Sequence, residues 1–192
     1  SQYETNFEWR LNLLFDTLNK KGGSQGFVAW GLSPADTGNH NDPNTWSQLK
    51  LDNSFDPSSI DAQLYLASFC DNLLSTDFAS KTDVNYNCSI NNFDIWLQEQ
   101  ANSTSPTDIY LDKCNGTAGL PVPEAIFNPC FSTWAMAFGD TTVLSRNGIV
   151  EIMYFEFQCR VRYDSPYDTL DKEWHLIESW MSNERAIAPS GV

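Results

Sequence analysis

Apolar residues recur at helical spacing in several stretches of the chain. Residues 3–20 carry apolar side chains three or four positions apart and end in Lys-Lys-Gly-Gly, which predicts an amphipathic helix. Helices are also predicted over residues 58–76, with Asp56 as its cap and Pro57 at its first position, and over residues 90–100. Residues 124–138 are expected to be helical with a break at Asn128-Pro129, because the residue before a proline disfavours helix. A last helix is predicted from its apolar positions, Leu170, Trp174, Ile177, Trp180 and Met181.

Two stretches have the character of strands. Residues 27–30 are apolar between two turn signals, and residues 149–162 alternate between apolar and polar side chains. One face of that second strand would hold Met153, Phe155, Phe157, Cys159, Val161 and Tyr163. With a closing strand at or past Val192, the order predicts an α+β domain of the ferredoxin-like, split β-α-β kind.

Composition narrows the possible partners. The 192 residues include 25 acidic and 11 basic side chains, a net charge of −14. This balance argues against binding to nucleic acid and against electrostatic attachment to anionic lipid. No run approaches the roughly 20 apolar residues that span a bilayer, and no signal peptide opens the chain, so we expect a soluble piece with one good core or two small ones.

The five cysteines cannot all pair within the chain. Cys159 has apolar neighbours on its predicted strand, and we interpret it as a free, buried thiol. Sequence does not fix the connectivity of the others. The simplest pairing is local, Cys70 with Cys88 and Cys114 with Cys130, each closing a short loop. A metal-binding cysteine is the alternative, but no Cys-x-x-Cys or Cys/His cluster supports it.

Three sequons for N-linked glycosylation begin at Asn87, Asn102 and Asn115, within about thirty residues. Abundant Asn, Ser and Thr could produce them by chance. Their clustering favours an oxidising, glycosylating compartment outside the cytoplasm, which agrees with the cysteine content.

The sequence offers little support for catalysis or for a metal. Acidic pairs such as Asp164 with Asp168, or Asp36 with Asp42, are expected by chance in so acidic a chain. His40 and His175 are the only histidines, and neither has a nucleophile partner or zinc-site spacing. Residues 36–42 have enough oxygen ligands for Ca²⁺, but turn chemistry explains the same Asp, Asn and Gly more simply. We therefore predict no enzyme activity, no cofactor and no metal.

Several motifs resemble a known family. They are Trp30-Gly31-Leu32-Ser33-Pro34-Ala35-Asp36-Thr37-Gly38-Asn39, Leu51-Asp52-Asn53-Ser54-Phe55, Phe69-Cys70, the Cys88 to Trp96 helix and Ala188-Pro189-Ser190-Gly191. In their residues and their order along the chain, these motifs resemble the second extracellular domain of the Dispatched family. The members of this family are membrane proteins of the resistance-nodulation-division (RND) type and are related to Patched. The likeness covers residues 27–100 and 149–192, which would form the core of a single domain, and is thin over residues 101–148, which would be a helical, disulfide-bearing insertion.

The resemblance implies an RND porter-type extracellular domain at the outer face of the plasma membrane, within a multi-pass glycoprotein that exports lipid-modified, Hedgehog-type cargo. Its partners would be the sister extracellular domain and a lipidated protein or sterol. Trp46 and Trp134 are candidate contact residues together with Trp30, although Trp30, Trp96, Trp174 and Trp180 are better explained as core. A free-standing secreted glycoprotein, an adhesion or matrix module with the same fold, is the alternative.

Overall fold

In a computed structural model of the chain, residues 25–33, 50–80, 88–162 and 164–192 are described. The strands in these ranges are β1 (Gln25–Trp30), β2 (Leu32–Ser33), β3 (Lys50–Leu51), β4 (Val143–Arg146) and β5 (Ile149–Gln158). The helices are α1 (Ile60–Ser75), α2 (Ser89–Ala101), α3 (Asp108–Lys113), α4 (Glu124–Phe138) and α5 (Tyr167–Ile187). The predicted helix over residues 3–20, the 36–42 loop, Trp46 and Asn87 lie outside the described residues.

The described strands form two small sheets. One has the order β1-β5-β4, and the other pairs β2 with β3 in antiparallel fashion. Strands β4 and β5 form an antiparallel hairpin whose turn residues, Asn147 and Gly148, have φ values of 54° and 76°. Two left-handed residues are what a tight hairpin turn requires. Because the described residues combine these two small sheets with five helices, the α+β class is confirmed.

The chain groups into two compact units. Unit 1 takes its described residues from 25–27, 71–80 and 156–187, and unit 2 takes them from 28–70, 88–155 and 188–192. Helix α1 and strands β1 and β5 contribute residues to both units.

The core of unit 2 is rich in aromatic side chains. Trp30 of β1 lies with its ring centroid 4.8 Å from both Phe69 of α1 and Phe155 of β5. Phe93 of α2 lies 4.9 Å from Phe131 of α4. Edge-to-face and tilted ring pairs at these distances add to the free energy gained from burial. Residues of the predicted 101–148 insertion thus pack into the middle of this unit.

Gln63 connects α1 to the segment before α4. The side chain is fully buried, and its amide donates hydrogen bonds to the carbonyl oxygens of Val122 (2.8 Å) and Ser58 (2.7 Å). Its Oε1 accepts from the Val122 amide at 2.7 Å. Nearby, the Leu120 amide donates to Asp94 Oδ1 at 2.7 Å. These bonds satisfy backbone groups of a stretch that has no regular secondary structure.

Helix α1 begins later than the sequence predicts. The Ser59 hydroxyl accepts a hydrogen bond from the Ala62 amide at 3.2 Å, which makes Ser59 the cap. The Asp56 carboxylate instead accepts from the amide and hydroxyl of Ser58 in a local turn. The assignment of Asp56 as cap and Pro57 as the first helical residue is therefore wrong.

Helix α4 does not break at Asn128-Pro129. Pro129 lies inside the continuous helix, and the carbonyl that its missing N–H leaves free belongs to Ala125, which is exposed. Water can satisfy that carbonyl. Asn128 Oδ1 also accepts the Val150 amide at 3.0 Å, which ties this turn of the helix to β5. The predicted break is wrong, because the helix continues through Pro129 and the carbonyl that lacks a donor belongs to an exposed residue.

Unit 1 contains helix α5, and four of the five residues predicted for the inward face of this helix, Leu170, Ile177, Trp180 and Met181, are half-buried. The buried residues of α5 are Glu173 and Glu184, while Trp174 is 59% exposed, so the assignment of Trp174 to the core is wrong. Trp180 is half-buried and its ring lies 5.6 Å from Phe78. Glu173 accepts from Arg160 Nη2 at 3.3 Å, and this ion pair allows a carboxylate to occupy an inward position.

Candidate binding surface at the end of helix α4

A row of aromatic rings in unit 2 reaches the surface at the end of α4. Phe93 lies 5.3 Å from Trp134, Trp134 lies 5.9 Å from Phe138, and Phe138 lies 6.1 Å from Trp96. The first members of the row are buried, whereas Phe138 is 60% exposed. The row arises because Phe131, Trp134 and Phe138 follow one another at helical spacing along α4.

The chain turns sharply just after Phe138. Gly139 has φ 65°, and the amides of Gly139 and Asp140 donate to the carbonyls of Met136 (3.3 Å) and Ala135 (2.8 Å). A left-handed glycine at this position ends a helix without steric strain. Phe138 and Met136, which is 68% exposed, are the exposed apolar residues next to this turn, and we call these two residues the apolar rim.

A cleft of about 250 Å³ lies beside this turn. We call it the α4 cleft; its lining residues are Asn92, Trp134, Phe138, Gly139, Asp140 and Thr141. Ligand pockets for drug-sized molecules are about 300–1,000 Å³, so the α4 cleft is too small to enclose such a molecule. It matches a single projecting side chain or a small polar group.

Polar contacts fix the turn at residues 140–142, beside the α4 cleft. Asp140 Oδ1 accepts from the Thr142 amide at 2.8 Å and from the Thr142 hydroxyl at 2.7 Å. The Thr142 hydroxyl also bonds to the buried hydroxyl of Ser89, at the start of α2. The surface thus combines a preorganised polar turn with exposed apolar side chains, a combination suited to binding another protein.

The structure corrects one predicted contact residue. Trp134 lines the cleft but is only 5% exposed, so its assignment as a rim aromatic is wrong. Its ring stacks on Phe131 within the core, at 5.6 Å and an interplanar angle of 11°. Trp46 lies outside the described residues, and its predicted contact role stays a prediction.

The two disulfides in the structure are Cys70–Cys88 and Cys114–Cys130, the same pairs that sequence proximity favours. Both lie within unit 2, where all four cysteines are buried. Cys159 is free, but it is half-buried and not buried as predicted. Burial and the nearby Glu173 carboxylate raise the pKa of its thiol to about 11, so the thiol is protonated at neutral pH.

The other candidate residues that the structure describes are exposed. Asn102 and Asn115 are exposed. Asp164 is paired with Arg162 at 3.0 Å, and His175 Nε2 lies 3.7 Å from Asp171. In the part of the chain that the structure describes, no group of three or more His, Cys, Asp or Glu residues could hold a metal ion.

Met136 and Phe138 did not emerge from the sequence. Phe138 continues the apolar stripe of α4, so the spacing alone predicts that it is buried. The glycine at position 139 was the available signal, because it marks the end of the helix and the start of an exposed turn.

Comparisons with known proteins identify relatives that are named Dispatched. The chain is 27% identical to human Dispatched homolog 1 over 86% of its length, and 25% identical to mouse Dispatched homolog 2 over 96%. It is 22% identical to Drosophila melanogaster Dispatched over 83% of its length. No protein-family model matches the chain.

Fold and disulfides define a disulfide-bonded α+β domain. The similarity to proteins named Dispatched extends over most of the chain, which is consistent with a Dispatched-like domain. The chain spans only 11% of human Dispatched homolog 1 and 14% of mouse Dispatched homolog 2. None of the described helices is both long enough and apolar enough to cross a membrane.

Proposed function

We propose that this chain is the second extracellular domain of a Dispatched-like, RND-type membrane transporter that releases sterol- or lipid-modified cargo of the Hedgehog type. In this proposal the domain has the ferredoxin-like, porter-type fold of that family and lies at the outer face of the plasma membrane. It supplies a binding surface and part of a conduit wall, and it is not an enzyme. The observation that carries the proposal is the similarity to Dispatched proteins of two vertebrates and a fly across at least 83% of the chain.

The cysteine chemistry supports placement outside the cytoplasm. Two disulfides lie in the core of unit 2, and disulfides persist in oxidising compartments such as the secretory lumen and the cell surface. The acidic charge of −14 also suits a protein that acts through specific contacts and not through attraction to anionic lipid.

Within the domain, the α4 cleft and its apolar rim are the proposed contact surface. Met136 and Phe138 expose most of their apolar area next to a rigid turn. Because the cleft is small, it would receive one side chain of the sister domain or of the protein part of the cargo, and not a whole sterol.

A glycan placed on the rim tests this function. Met136→Asn combined with Phe138→Thr creates the sequon Asn-Ala-Thr, and the attached glycan would block the surface. The full-length protein would be expressed in cells that lack Dispatched but make lipid-modified Hedgehog, and Hedgehog would be measured in the medium. The matched control is Met136→Gln with Phe138→Thr, which has the same loss of apolar area but no sequon.

We expect the natural protein to restore release, the control to reduce it, and the glycosylated variant to reduce it further. Failure of the natural protein to restore release would reject the transporter function. Equal release by all three proteins, at equal cell-surface amounts, would reject the α4 cleft while leaving the transporter function standing.

A further inference from the structure

We infer that Asn102 and Asn115 carry N-linked glycans and that Asn87 does not. The sequence presents three equivalent sequons, and the structure distinguishes them through the residues that complete each one. The inference rests on the proposed function, since glycan transfer takes place only in the secretory lumen. It goes further by assigning the modified positions.

The Asn102 sequon lies entirely at the surface. Asn102 is the C-cap residue of α2, and Asn102, Ser103 and Thr104 are all exposed. The side-chain nitrogen of Asn102, Nδ2, donates to the Gln98 carbonyl at 2.8 Å. That bond closes only the last turn of the helix, and fraying of a helix end releases it at little cost.

The Asn115 sequon occupies a tight turn beyond α3. Asn115 and Gly116 are exposed and have φ values of 50° and 73°. Open space surrounds Gly116, where no atom would come within 4 Å of an added Cβ. Thr117 is half-buried, and its hydroxyl donates to the Cys114 carbonyl at 2.7 Å within the same turn. A bulky glycan can therefore leave this turn without displacing a neighbour.

The two sequons belong to one short segment of unit 2. The Thr107 amide, at the start of α3, donates to Gln100 Oε1 at 2.7 Å, which holds the beginning of α3 close to the end of α2. Helix α3 has six residues and is about 9 Å long. The Asn102 sequon therefore precedes α3 in the chain and the Asn115 sequon follows it.

The third sequon is closed by folding. Asn87 lies outside the described residues, but Cys88 and Ser89 are described and are each 1% exposed. Cys88 is bonded to Cys70, and Ser89 opens α2 with its hydroxyl bonded to Thr142. The Ser89 hydroxyl that completes this sequon is thus buried and hydrogen-bonded. The 18-residue separation of the two cysteines lets the disulfide form soon after both reach the lumen, which removes Asn87 from the pool of acceptors.

Glycopeptide mapping of the full-length protein from animal cells tests the assignment. After enzymatic removal of glycans in ¹⁸O-water, we expect isotope-labelled aspartate at positions 102 and 115 in most molecules, and unlabelled Asn87. In parallel, Asn102→Gln and Asn115→Gln are each expected to lose one glycan step on a gel, while Asn87→Gln migrates like the natural protein.

A cysteine variant tests whether the Cys70–Cys88 disulfide prevents glycosylation of Asn87. Cys70→Ser removes the bridge to Cys88, and we expect the Asn87 sequon to become occupied; the control Cys159→Ser leaves the bridge intact and should leave Asn87 unmodified. A glycan on Asn87 in the natural protein, or its absence from Asn102 or Asn115 in most molecules, would overturn the inference.

Non-reducing peptide mapping separates a failure of this inference from a failure of the proposed function. If the Cys70–Cys88 bridge forms, the domain has entered the lumen and only the glycan assignment is wrong; reduced cysteines together with three bare sequons would reject the extracellular placement.

Discussion

At the scale of single residues, Gly31 shows the tightest backbone contact among the described glycines of unit 2. It follows β1 with φ 83°, and a Cβ built on it would clash with the carbonyl oxygen of Glu151. Glu151 is the extra residue of a bulge in β5, because Val150 pairs with Ser145 and Ile152 with Leu144. The Trp-Gly motif is thus explained by close packing of two backbones.

Gly31→Ala is therefore expected to destabilise the domain by more than the roughly 1–2 kcal/mol that a left-handed conformation alone costs an alanine. Gly116→Ala is the matched control, since Gly116 has φ 73° and open space around it. Urea unfolding of both variants separates the steric contact from the backbone strain. Equal losses of unfolding free energy would mean that β5 moves aside freely.

Gln63 provides a second prediction at this scale. Gln63→Leu keeps the buried volume but leaves the N–H and C=O of Val122 without partners. Each unsatisfied buried group costs about 1–3 kcal/mol, so we expect the free energy of unfolding to fall by about 2–5 kcal/mol. Gln98→Leu, at an exposed position on α2, should change it by less than about 0.5 kcal/mol. A loss below 1 kcal/mol for Gln63→Leu would show that water replaces the amide.

The thiol of Cys159 gives a prediction about pH. Its pKa is raised to about 11 in the folded protein from 9.0, so the folded state holds the proton more tightly than the unfolded state. The resulting stabilisation is fully present below pH 9 and is lost as the pH rises from 9 towards 11. At pH 8 the folded protein has about 100-fold fewer thiolates than an ordinary thiol would, and alkylation should be correspondingly slow.

Glu173→Gln removes the negative charge near Cys159, and we expect it to lower the thiol pKa and to accelerate alkylation several-fold. Glu178→Gln, an exposed position on the same helix, is the control and should have no effect. Iodoacetamide kinetics between pH 7 and pH 10 measure both rates. Identical kinetics in the two variants would mean that burial alone raises the pKa of the Cys159 thiol.

At the scale of elements, the helices follow from local patterns, and their ends depend on individual contacts. Helix α4 tolerates Pro129 near its beginning because the affected carbonyl is exposed. The β4–β5 hairpin is specified by Asn147-Gly148, the strongest short-range hairpin signal. Both features lie in the part of unit 2 that follows α3.

Pro129→Ala should stabilise the domain. Alanine supplies the N–H that the Ala125 carbonyl lacks and adopts a helical backbone readily. The greater freedom of the unfolded chain offsets part of the gain, so we expect a net increase of about 1–2 kcal/mol. Pro166→Ala, just before the first residue of α5, should give no gain, because no carbonyl of that helix lies four residues upstream. Calorimetric melting temperatures compare the two, and a loss of stability in Pro129→Ala would contradict this account.

At the scale of the whole molecule, charge is the dominant feature. The net charge of −14 is spread over a chain whose described ion pairs are few, and like charges oppose the compact state. Salt screens this repulsion over about 10 Å at 0.1 M. We expect the melting temperature to rise as sodium chloride increases from about 10 mM to about 150 mM. A fall over the same range would mean that attractive pairs outweigh the net charge.

The sequence by itself determined the α+β class, the positions of the long helices, and the likeness to Dispatched. These properties depend on neighbours in the chain: α1, α2 and α4 have sustained apolar spacing, and Cys70 and Cys88, like Cys114 and Cys130, are close enough to pair locally. A pattern of this kind is readable without knowing what packs against it.

The tertiary structure alone decided which apolar residues reach the surface. Trp134 and Phe138 share one stripe of α4, yet Trp134 is covered by Phe131 and Phe93 while Phe138 lies where the helix ends and its neighbours stop. Trp174 is exposed although Ile177 and Trp180 of the same predicted face are half-buried, and the buried residue beside it is Glu173, which pairs with Arg160. Periodicity predicts that residues share one face of a helix. Which residues of that face are buried depends on the distant segments that pack against it.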